Sequence, residues 1–140
     1  MSQTLAIIKP DAVGSGKAGR ILAHLEEAGF AVKAIRLVSL SPAQAGAFYA
    51  VHHGRPFYDE LVDFMTSGPV IAMVLEADEA VAKLRETIGA TDPAEAAEGT
   101  IRRLYAESKG RNAIHASDSD ENARSEIAFF FSEHERLGIA

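Results

Sequence analysis

The sequence predicts an α+β chain in which an antiparallel sheet is covered by helices on one face. Strand and helix patterns alternate along the 140 residues in the order strand, helix, strand, helices, strand, helix, strand, helix. This order fits a split βαβ design, and a flavodoxin-like sheet is the main alternative. A composition of 47% hydrophobic and 24% charged residues is ordinary for a globular protein. The length fits one domain over residues 1–140.

The first half of the chain begins with a strand pattern and then alternates helix and strand. "TLAIIK" at 4–9 is a short apolar run closed by a proline, which indicates a buried strand. Residues 13–29 carry apolar side chains at helical spacing and end at a glycine, which predicts an amphipathic helix. Apolar and polar residues alternate over 30–40, as in a half-buried strand. Ser41 and Pro42 then form an N-cap and first-turn pair that starts the next helix.

The second half of the chain continues the alternation. Its predicted elements are a helix at 57–68, a strand at 69–77, a helix at 78–89, a short strand at 112–115 and a closing helix at 117–131. The strand at 69–77 is the most apolar and is expected to be central in the sheet. The segment from 90 to 110 contains Pro93 and Gly99 and has no clear period. A loop of that length in a small domain is usually functional.

Charge and cysteine content exclude several classes of function. The net charge of −6 disfavours nonspecific binding to nucleic acid or to an anionic membrane. The chain has no cysteine, which excludes a disulfide framework, a thiolate zinc site and a thiol nucleophile. The first residues, "MSQTLAIIKPD", lack a basic leader and a long apolar run, so we expect a cytoplasmic protein without a membrane span.

Two motifs resemble functional sites but fail on spacing. "GSGK" at 14–17 ends like a phosphate-binding P-loop, but the first glycine of that motif would fall on Asp11 and its Ser or Thr on Ala18. His52 and His53 are adjacent, so on a helix their side chains point in different directions. Neither the i,i+4 spacing of a zinc site nor a nearby cysteine is present.

"NAIHASDS" at 112–119 is the strongest local signal in the sequence. Ser117, Asp118 or Ser119 is expected to cap the closing helix, whose first turn then presents unpaired N–H groups. His115 lies just before that positive helix end, which disfavours a protonated ring and favours a nearby phosphate. Glu126, two turns into the helix, could reach back to Ser117 and the imidazole. A lone histidine at such a junction is more often a packed residue, so its neighbours decide the interpretation.

Those neighbours match a known family. The segment "RNAIHASDSDENARSEI" at 111–127 closely resembles the N-x-x-H-x-S-D-S active-site signature of nucleoside diphosphate kinases. The resemblance includes "IIKPDAV" near the start, "RPFYDELVDFMTSGPVIAMVLE" in the middle and "TDPAEAAEGTIRRLYA" before the histidine, in the family's order and spacing. The sequence is therefore identified as a member of that family, which implies a ferredoxin-like βαββαβ fold.

The resemblance implies transfer of the γ-phosphate of a nucleoside triphosphate, typically ATP, to a nucleoside diphosphate, which maintains the cell's nucleotide pools. In these enzymes the phosphate passes by a ping-pong route through a histidine, which His115 matches. The family implies a pros-phosphohistidine, a choice of ring nitrogen that the residues alone leave open. Ser117 and Glu126 match the pair that steadies the imidazole, and Tyr49 matches the tyrosine beside it. Lys9 matches the lysine that reaches the sugar hydroxyl and the terminal phosphate.

The remaining matches concern the nucleotide. Arg85, Thr91 and Arg102 match the family's phosphate-binding trio. Asn112 matches the residue on the ribose, and Phe57 matches the ring on which the base stacks. Charge develops on the phosphoryl oxygens during transfer, so cations and donors at these positions suit the reaction. Mg²⁺ is the implied cofactor, and it can be carried by the substrate phosphates without a residue that binds it.

Three departures from the family pattern bear on function. Ala116 follows the histidine where many relatives have glycine, so the backbone there must accommodate a Cβ atom. Lys109 stands opposite the base where many relatives have an apolar residue, although its aliphatic stem could still cover a base. The tail after Phe131 is short. The family forms homo-oligomers built from a common dimer, so we expect at least a dimer and leave its size open.

Two functions of other classes compete with the enzyme. A regulatory nucleotide-binding module would be indicated by loss of the histidine or of a phosphate-binding arginine, but His115, Arg85 and Arg102 are all present. A phosphocarrier fed by a protein donor would not need residues that match ribose and base contacts, and Asn112 and Phe57 provide such matches. The sequence therefore favours the enzyme.

Overall fold

The centre of the molecule is a four-stranded antiparallel sheet. The computed structural model describes residues 1–137. Its strands are β1 (Ser2–Ile8), β2 (Ala31–Val38), β3 (Val70–Ala77) and β4 (Ile114–Ala116). They lie in the order β2-β3-β1-β4, and every neighbouring pair is antiparallel. This arrangement is that of the ferredoxin-like fold and excludes the parallel flavodoxin-like alternative. The predicted α+β class and the central position of β3 are confirmed.

The described residues also form eight α-helices and one short 3-10 turn at Ala50–His52. The helices are α1 (Pro10–Gly14), α2 (Ala18–Glu27), α3 (Pro42–Phe48), α4 (Tyr58–Met65), α5 (Ala80–Ile88), α6 (Ile101–Tyr105), α7 (Asp120–Phe130) and α8 (Glu133–Leu137). None of the described helices is long and apolar enough to cross a membrane.

Helices cover both faces of the sheet, whereas the sequence led us to expect cover on one face. Along β1, Ala6 and Ile8 face a core that includes Leu25 of α2 and Leu84 of α5. Leu5 and Ile7 face a second core, to which α3, α4 and α7 contribute Ala45, Met65 and Ile127. The physical reason lies in the two central strands, which are apolar on both sides and so need two helical layers to exclude water.

Two element boundaries also differ from expectation. The helix predicted over 13–29 is two helices, because the chain turns at residues 15–17, where Gly16 has a φ of +75°. The segment predicted as a loop from 90 to 110 contains α6, which starts where the Thr100 hydroxyl accepts from the N–H of Arg103 at 3.3 Å. The expected short tail includes α8, and residues 138–140 lie outside the described residues.

The predicted helix starts are present. Ser41 and Gln44 form a reciprocal capping box at the start of α3. Among the three candidates for the last helix, Ser119 is the N-cap, because its hydroxyl accepts from the N–H of Asn122 at 3.0 Å. The closing helix therefore begins at Asp120, five residues after His115.

Candidate active site

His115 lies on β4, paired with Ile7 of the central strand β1. Its Nε2 atom is 2.7 Å from Oε1 of Glu126 on α7, and the Ser117 hydroxyl donates to the same oxygen at 2.8 Å. A carboxylate accepts, so Nε2 carries the hydrogen. In the described part of the chain, Nδ1 makes no protein hydrogen bond. The arrangement fixes the ring and leaves the Nδ1 lone pair free in the neutral imidazole.

Two aromatic rings flank the imidazole. Phe48 meets it edge to face at a centroid distance of 5.5 Å, and Tyr49 does so at 6.3 Å. Tyr49 is 6% exposed, and burial together with the charge of Glu126 raises the pKa of its hydroxyl far above the usual value. Tyr49 is therefore a neutral phenol at physiological pH. Within the described residues its buried hydroxyl has no partner, so it is available to a bound group.

Lys9 follows β1 directly and lies, partly buried, against the turn before β4. Its Nζ atom donates to Oδ1 of Asn112 at 2.8 Å. Burial, together with the nearby charge of Arg102, lowers the Lys9 pKa to about 8, and Asp11 opposes that shift. The Asn112 side chain is buried and donates to the Thr91 carbonyl at 3.4 Å. Lys9, Asn112 and Thr91 are therefore joined in one polar chain.

The two arginines of the matched trio have different surroundings. Arg102 is 8% exposed and donates to the carbonyls of Gly89 and Ile114 at 3.2 and 2.8 Å. Burial and the charge of Arg85 lower its pKa to about 10, so it stays charged at neutral pH. Arg85 is exposed and reaches the histidine strand through a 3.5 Å hydrogen bond to the Ala116 carbonyl. Arg102 thus joins the backbone after α5 to the backbone of β4, a structural role that the sequence did not indicate.

A cavity of about 1080 Å³ opens beside Lys9. Phe57 lines it with a ring that is 44% exposed, and Thr91 and Lys109 line it as well. Arg85 instead lines a second cavity of about 850 Å³ beside the start of α7, with Asp118 and Ser119. The structure therefore brings Lys9, Phe57 and Thr91 to one cavity, whereas Arg85 opens onto another.

Two residues near the site were missed at the level of sequence. Asp11 is 6% exposed and accepts from the N–H of Ala113 at 3.0 Å, close to Lys9. A carboxylate three residues after the end of an apolar strand was a usable signal, because carboxylates so close to the core are rarely buried without a partner. Phe48 touches the imidazole, but an aromatic residue beside Tyr49 carries no distinctive signal in the sequence. A fixed imidazole with one free nitrogen, on a strand whose neighbouring carbonyls bind Arg102 and Arg85, is an arrangement suited to phosphoryl transfer.

Comparison with known proteins agrees with this chemistry. The family model described as nucleoside diphosphate kinase matches residues 2–136. A protein of that name from Chlorobium chlorochromatii is 58% identical over 135 residues, which is 96% of each chain. The counterpart from Chlamydia caviae is also 58% identical and covers 100% of this chain and 99% of its own.

Solved structures give the same result. The nucleoside diphosphate kinase of Aquifex aeolicus superposes with a TM-score of 0.93 at 50% identity and covers 96% of this chain and 97% of its own. That of Halobacterium salinarum, solved in complex with CDP, superposes with a TM-score of 0.91 at 40% identity, with 96% of this chain and 90% of its own covered. The chain belongs to the nucleoside diphosphate kinase family, whose members are phosphotransferases.

Proposed function

We propose that this chain moves the γ-phosphate of a nucleoside triphosphate to a nucleoside diphosphate through a pros-phosphohistidine on Nδ1 of His115. The observation that carries the proposal is the 2.7 Å contact between Nε2 and Glu126, because it places the ring hydrogen on Nε2 and leaves the lone pair on Nδ1. Ser117 supports the choice of nitrogen by holding the same carboxylate oxygen.

The reaction has two matching steps. The Nδ1 lone pair attacks the γ-phosphorus, the bond from that phosphorus to the β,γ-bridging oxygen breaks, and the diphosphate leaves with the electron pair. A terminal oxygen of a second diphosphate then attacks the phosphorus, and the N–P bond breaks to restore His115. Through both steps Nε2 keeps its proton, and Glu126 offsets the positive charge of the phosphorylated ring.

Cations near the histidine stabilise the charge that develops on the phosphoryl oxygens. Arg102 is buried and Lys9 is partly buried, so their electrostatic effect is stronger there than in water. Arg85, on the exposed side, can hold outer phosphate oxygens in bidentate fashion. Thr91 adds a hydroxyl donor at the cavity wall, and the Tyr49 phenol is available as a donor beside the imidazole.

The nucleoside is held in the 1080 Å³ cavity. Phe57 offers an exposed ring on which a base stacks, and Asn112 binds the ribose next to Lys9. The Halobacterium salinarum relative, solved with CDP, supports a nucleotide as the ligand of this fold.

Mg²⁺ enters this proposal as part of the substrate. The described residues contain no group of three or more His, Asp or Glu side chains placed to hold a metal. The cationic and neutral donors of the site, Lys9, Arg102 and Thr91, bind phosphate oxygens, which leaves other phosphate oxygens and water as ligands for the ion. The Mg²⁺–nucleotide complex is therefore the species that we expect to bind.

The proposal extends to the whole chain. Residues 1–140 act as one catalytic domain, and the chain forms a homo-oligomer of at least two copies. An apolar edge of the sheet supports assembly, since Ile35 and Leu37 on the edge strand β2 are 48% and 65% exposed. The substrates are nucleotides of the cytoplasm, where we place the enzyme.

A two-part assay tests the proposed function. The purified chain is first incubated with Mg²⁺–ATP alone and analysed by intact-mass and peptide spectrometry. One phosphoryl group should appear on His115, survive alkali and be lost in acid, as an N–P bond requires. His115→Ala should abolish the label, whereas His53→Ala, which changes an exposed histidine against Tyr58, should keep it. A label on Ser117 or Ser119 would contradict the mechanism.

Adding GDP to the labelled protein then separates the competing functions. Formation of GTP with loss of the label identifies the kinase. A regulatory nucleotide-binding module would bind ATP without any label. A phosphocarrier fed by a protein donor would take no label from ATP. Labelling and GTP formation separate the kinase from both alternatives, and a measurement of ATP binding separates the module, which binds ATP, from the phosphocarrier, which does not.

A further inference from the structure

We infer that Asp11 is a positioning residue of this site with two separable effects, a tether on the turn before β4 and a negative charge that opposes Arg102 at Lys9. The inference rests on the proposed phosphohistidine function, to which it adds a residue with no assigned role. Asp11 touches neither the imidazole nor the cavity beside Lys9, so its effect on the reaction passes through other residues.

The tether is a buried hydrogen bond across the sequence. Oδ2 of Asp11 accepts from the N–H of Ala113 at 3.0 Å, 102 residues further along the chain. On the other side of the same residue, the N–H of Lys9 donates to the Ala113 carbonyl at 2.8 Å. Both polar groups of the Ala113 backbone are therefore held by the segment that follows β1.

These two hydrogen bonds matter because the backbone of Ala113 is strained. Its φ is +74°, in the left-handed region that residues with a Cβ atom adopt at an energetic cost. The residue is fully buried, so the cost is not relieved by movement into solvent. A strained conformation persists when the surrounding contacts determine it, and the Asp11 and Lys9 hydrogen bonds are two such contacts. The third is within the turn, where the N–H of Ile114 donates to the Asn112 carbonyl at 2.9 Å.

The strained turn sets the spacing of the site. Asn112, one residue before it, holds the Lys9 ammonium at 2.8 Å. Ile114, one residue after it, starts β4 and brings His115 beside β1. Loss of the tether should therefore change the position of Lys9 and Asn112 relative to the imidazole.

The second effect is electrostatic. Asp11 is 6% exposed and forms no salt bridge within the described residues, and its Oδ1 atom is buried without a partner there. Asp11 and Lys9 contact the same residue of the turn, since the Asp11 carboxylate accepts from the Ala113 N–H and the Lys9 N–H donates to the Ala113 carbonyl. The groups that act on Lys9 are the Arg102 guanidinium, which destabilises its ammonium form, the Asp11 carboxylate, which stabilises it, and the neutral Asn112 amide. With its pKa at about 8, Lys9 is charged at neutral pH by a narrow margin, to which Asp11 contributes.

Two substitutions separate the effects. Asp11→Asn keeps an oxygen that can accept from the Ala113 N–H but removes the charge. Asp11→Ala removes both. Glu27→Gln, on the exposed end of α2, removes one negative charge elsewhere and is the matched control.

The readout is kcat/KM for phosphate transfer from Mg²⁺–ATP to GDP as a function of pH, which reports titrations of the free enzyme. Asp11→Asn should keep kcat/KM within about threefold of wild type on the acidic side of the profile, because its tether remains. The alkaline limb of the Asp11→Asn profile should move to lower pH by roughly one unit, because the Lys9 ammonium loses its stabilising neighbour. Glu27→Gln should give the wild-type profile.

Asp11→Ala should lower kcat/KM about tenfold or more even where Lys9 is charged, because the buried N–H of Ala113 loses its acceptor. An alkaline limb of Asp11→Asn that coincides with wild type would overturn the electrostatic effect. Equal kcat/KM for Asp11→Ala and Asp11→Asn at every pH would overturn the tether.

A measurement without activity keeps this test independent of the proposed function. The titration of Lys9 can be followed through the ¹³Cε resonance of labelled lysine, with Lys9→Met identifying the signal. The pH midpoint of the Lys9 titration should be lower in Asp11→Asn than in wild type and unchanged in Glu27→Gln. If ATP places no phosphoryl group on His115 but the midpoint of the Lys9 titration is shifted in Asp11→Asn, only the proposed function is refuted. If His115 is phosphorylated by ATP but the midpoint of the Lys9 titration is unchanged in Asp11→Asn, only the electrostatic effect of Asp11 is refuted.

Discussion

At the scale of single residues, the site contains side chains whose charged forms are disfavoured by burial. Lys9 has a pKa of about 8 in the folded chain and 10.5 as its ordinary value, because burial disfavours its ammonium form. Between these values the unfolded chain binds more protons than the folded one. The free energy of unfolding contributed by Lys9 therefore rises with pH across that window, while the ammonium that should serve phosphate transfer disappears.

We therefore predict opposite pH trends for stability and activity. From pH ~8 to ~10, kcat/KM should fall, whereas wild type should gain stability relative to Lys9→Met by on the order of 3 kcal/mol or less. Urea unfolding of both proteins at several pH values measures the difference, and Lys83→Met on α5 is the control. A difference that is flat with pH would show that Lys9 titrates normally in the folded chain.

At the scale of elements, the start of α5 contains a second strained residue. Glu79, its N-cap, has a φ of +49° and an exposed side chain. Glycine adopts this region without the steric cost, which is about 1–2 kcal/mol for other residues. Glycine also makes the unfolded chain more flexible, which offsets part of the stability gained by removing that steric cost.

We predict that Glu79→Gly raises the free energy of unfolding by roughly 0.5–1 kcal/mol. Glu86→Gly, which changes an exposed glutamate inside the same helix, should lower it by about 1 kcal/mol. Thermal or urea unfolding measures both, and the opposite signs separate backbone conformation from loss of a carboxylate. Destabilisation by both variants to the same extent would contradict the assigned strain.

Elements and contacts differ in how well the sequence predicts them. The closing helix and its approach to His115 follow from local signals, because an N-cap at Ser119 and helical spacing place Glu126 two turns away. Helix α6 has five residues, too few for a periodic pattern, and was predicted as loop. The hydrogen bonds of Arg102 and Asp11 join parts of the chain that only the fold brings together. Nothing local in the sequence specifies them.

At the scale of the whole molecule, the edge strand β2 bears on assembly. Its Ile35 and Leu37 side chains are exposed and apolar, and an uncovered edge of this kind is prone to pairing. We predict that Leu37→Lys shifts the chain from an oligomer to a monomer in sedimentation velocity. Val51→Lys, which changes a valine that is 79% exposed and lies outside the sheet, should leave the oligomer intact. A wild-type chain that sediments as a monomer would contradict the proposed assembly.

The 1080 Å³ cavity beside Lys9 is the proposed nucleoside site, and its lining bears on the choice of base. Rejecting a wrong base strongly requires buried polar groups that would go unpaired, which a stacking surface does not supply. Phe57 presents a flat, half-exposed ring, and the Lys109 side chain at the same cavity is exposed. In the proposed function, Asn112 and Lys9, whose side chains are 2.8 Å apart, contact the ribose and the phosphates, which all nucleotides share.

The chain should therefore accept purine and pyrimidine diphosphates, in ribo or deoxy form, with preferences of roughly tenfold, as stacking differences of one or two kcal/mol give. Measuring kcat/KM for ADP, GDP, CDP, UDP and dTDP with one fixed donor tests this. Lys109→Val should change kcat/KM for each diphosphate by no more than about tenfold, because the Phe57 ring on which the base stacks remains. A preference near 10⁴ for one base would instead require buried polar contacts to that base, and the loss of such a preference in Lys109→Val would identify the lysine as their source.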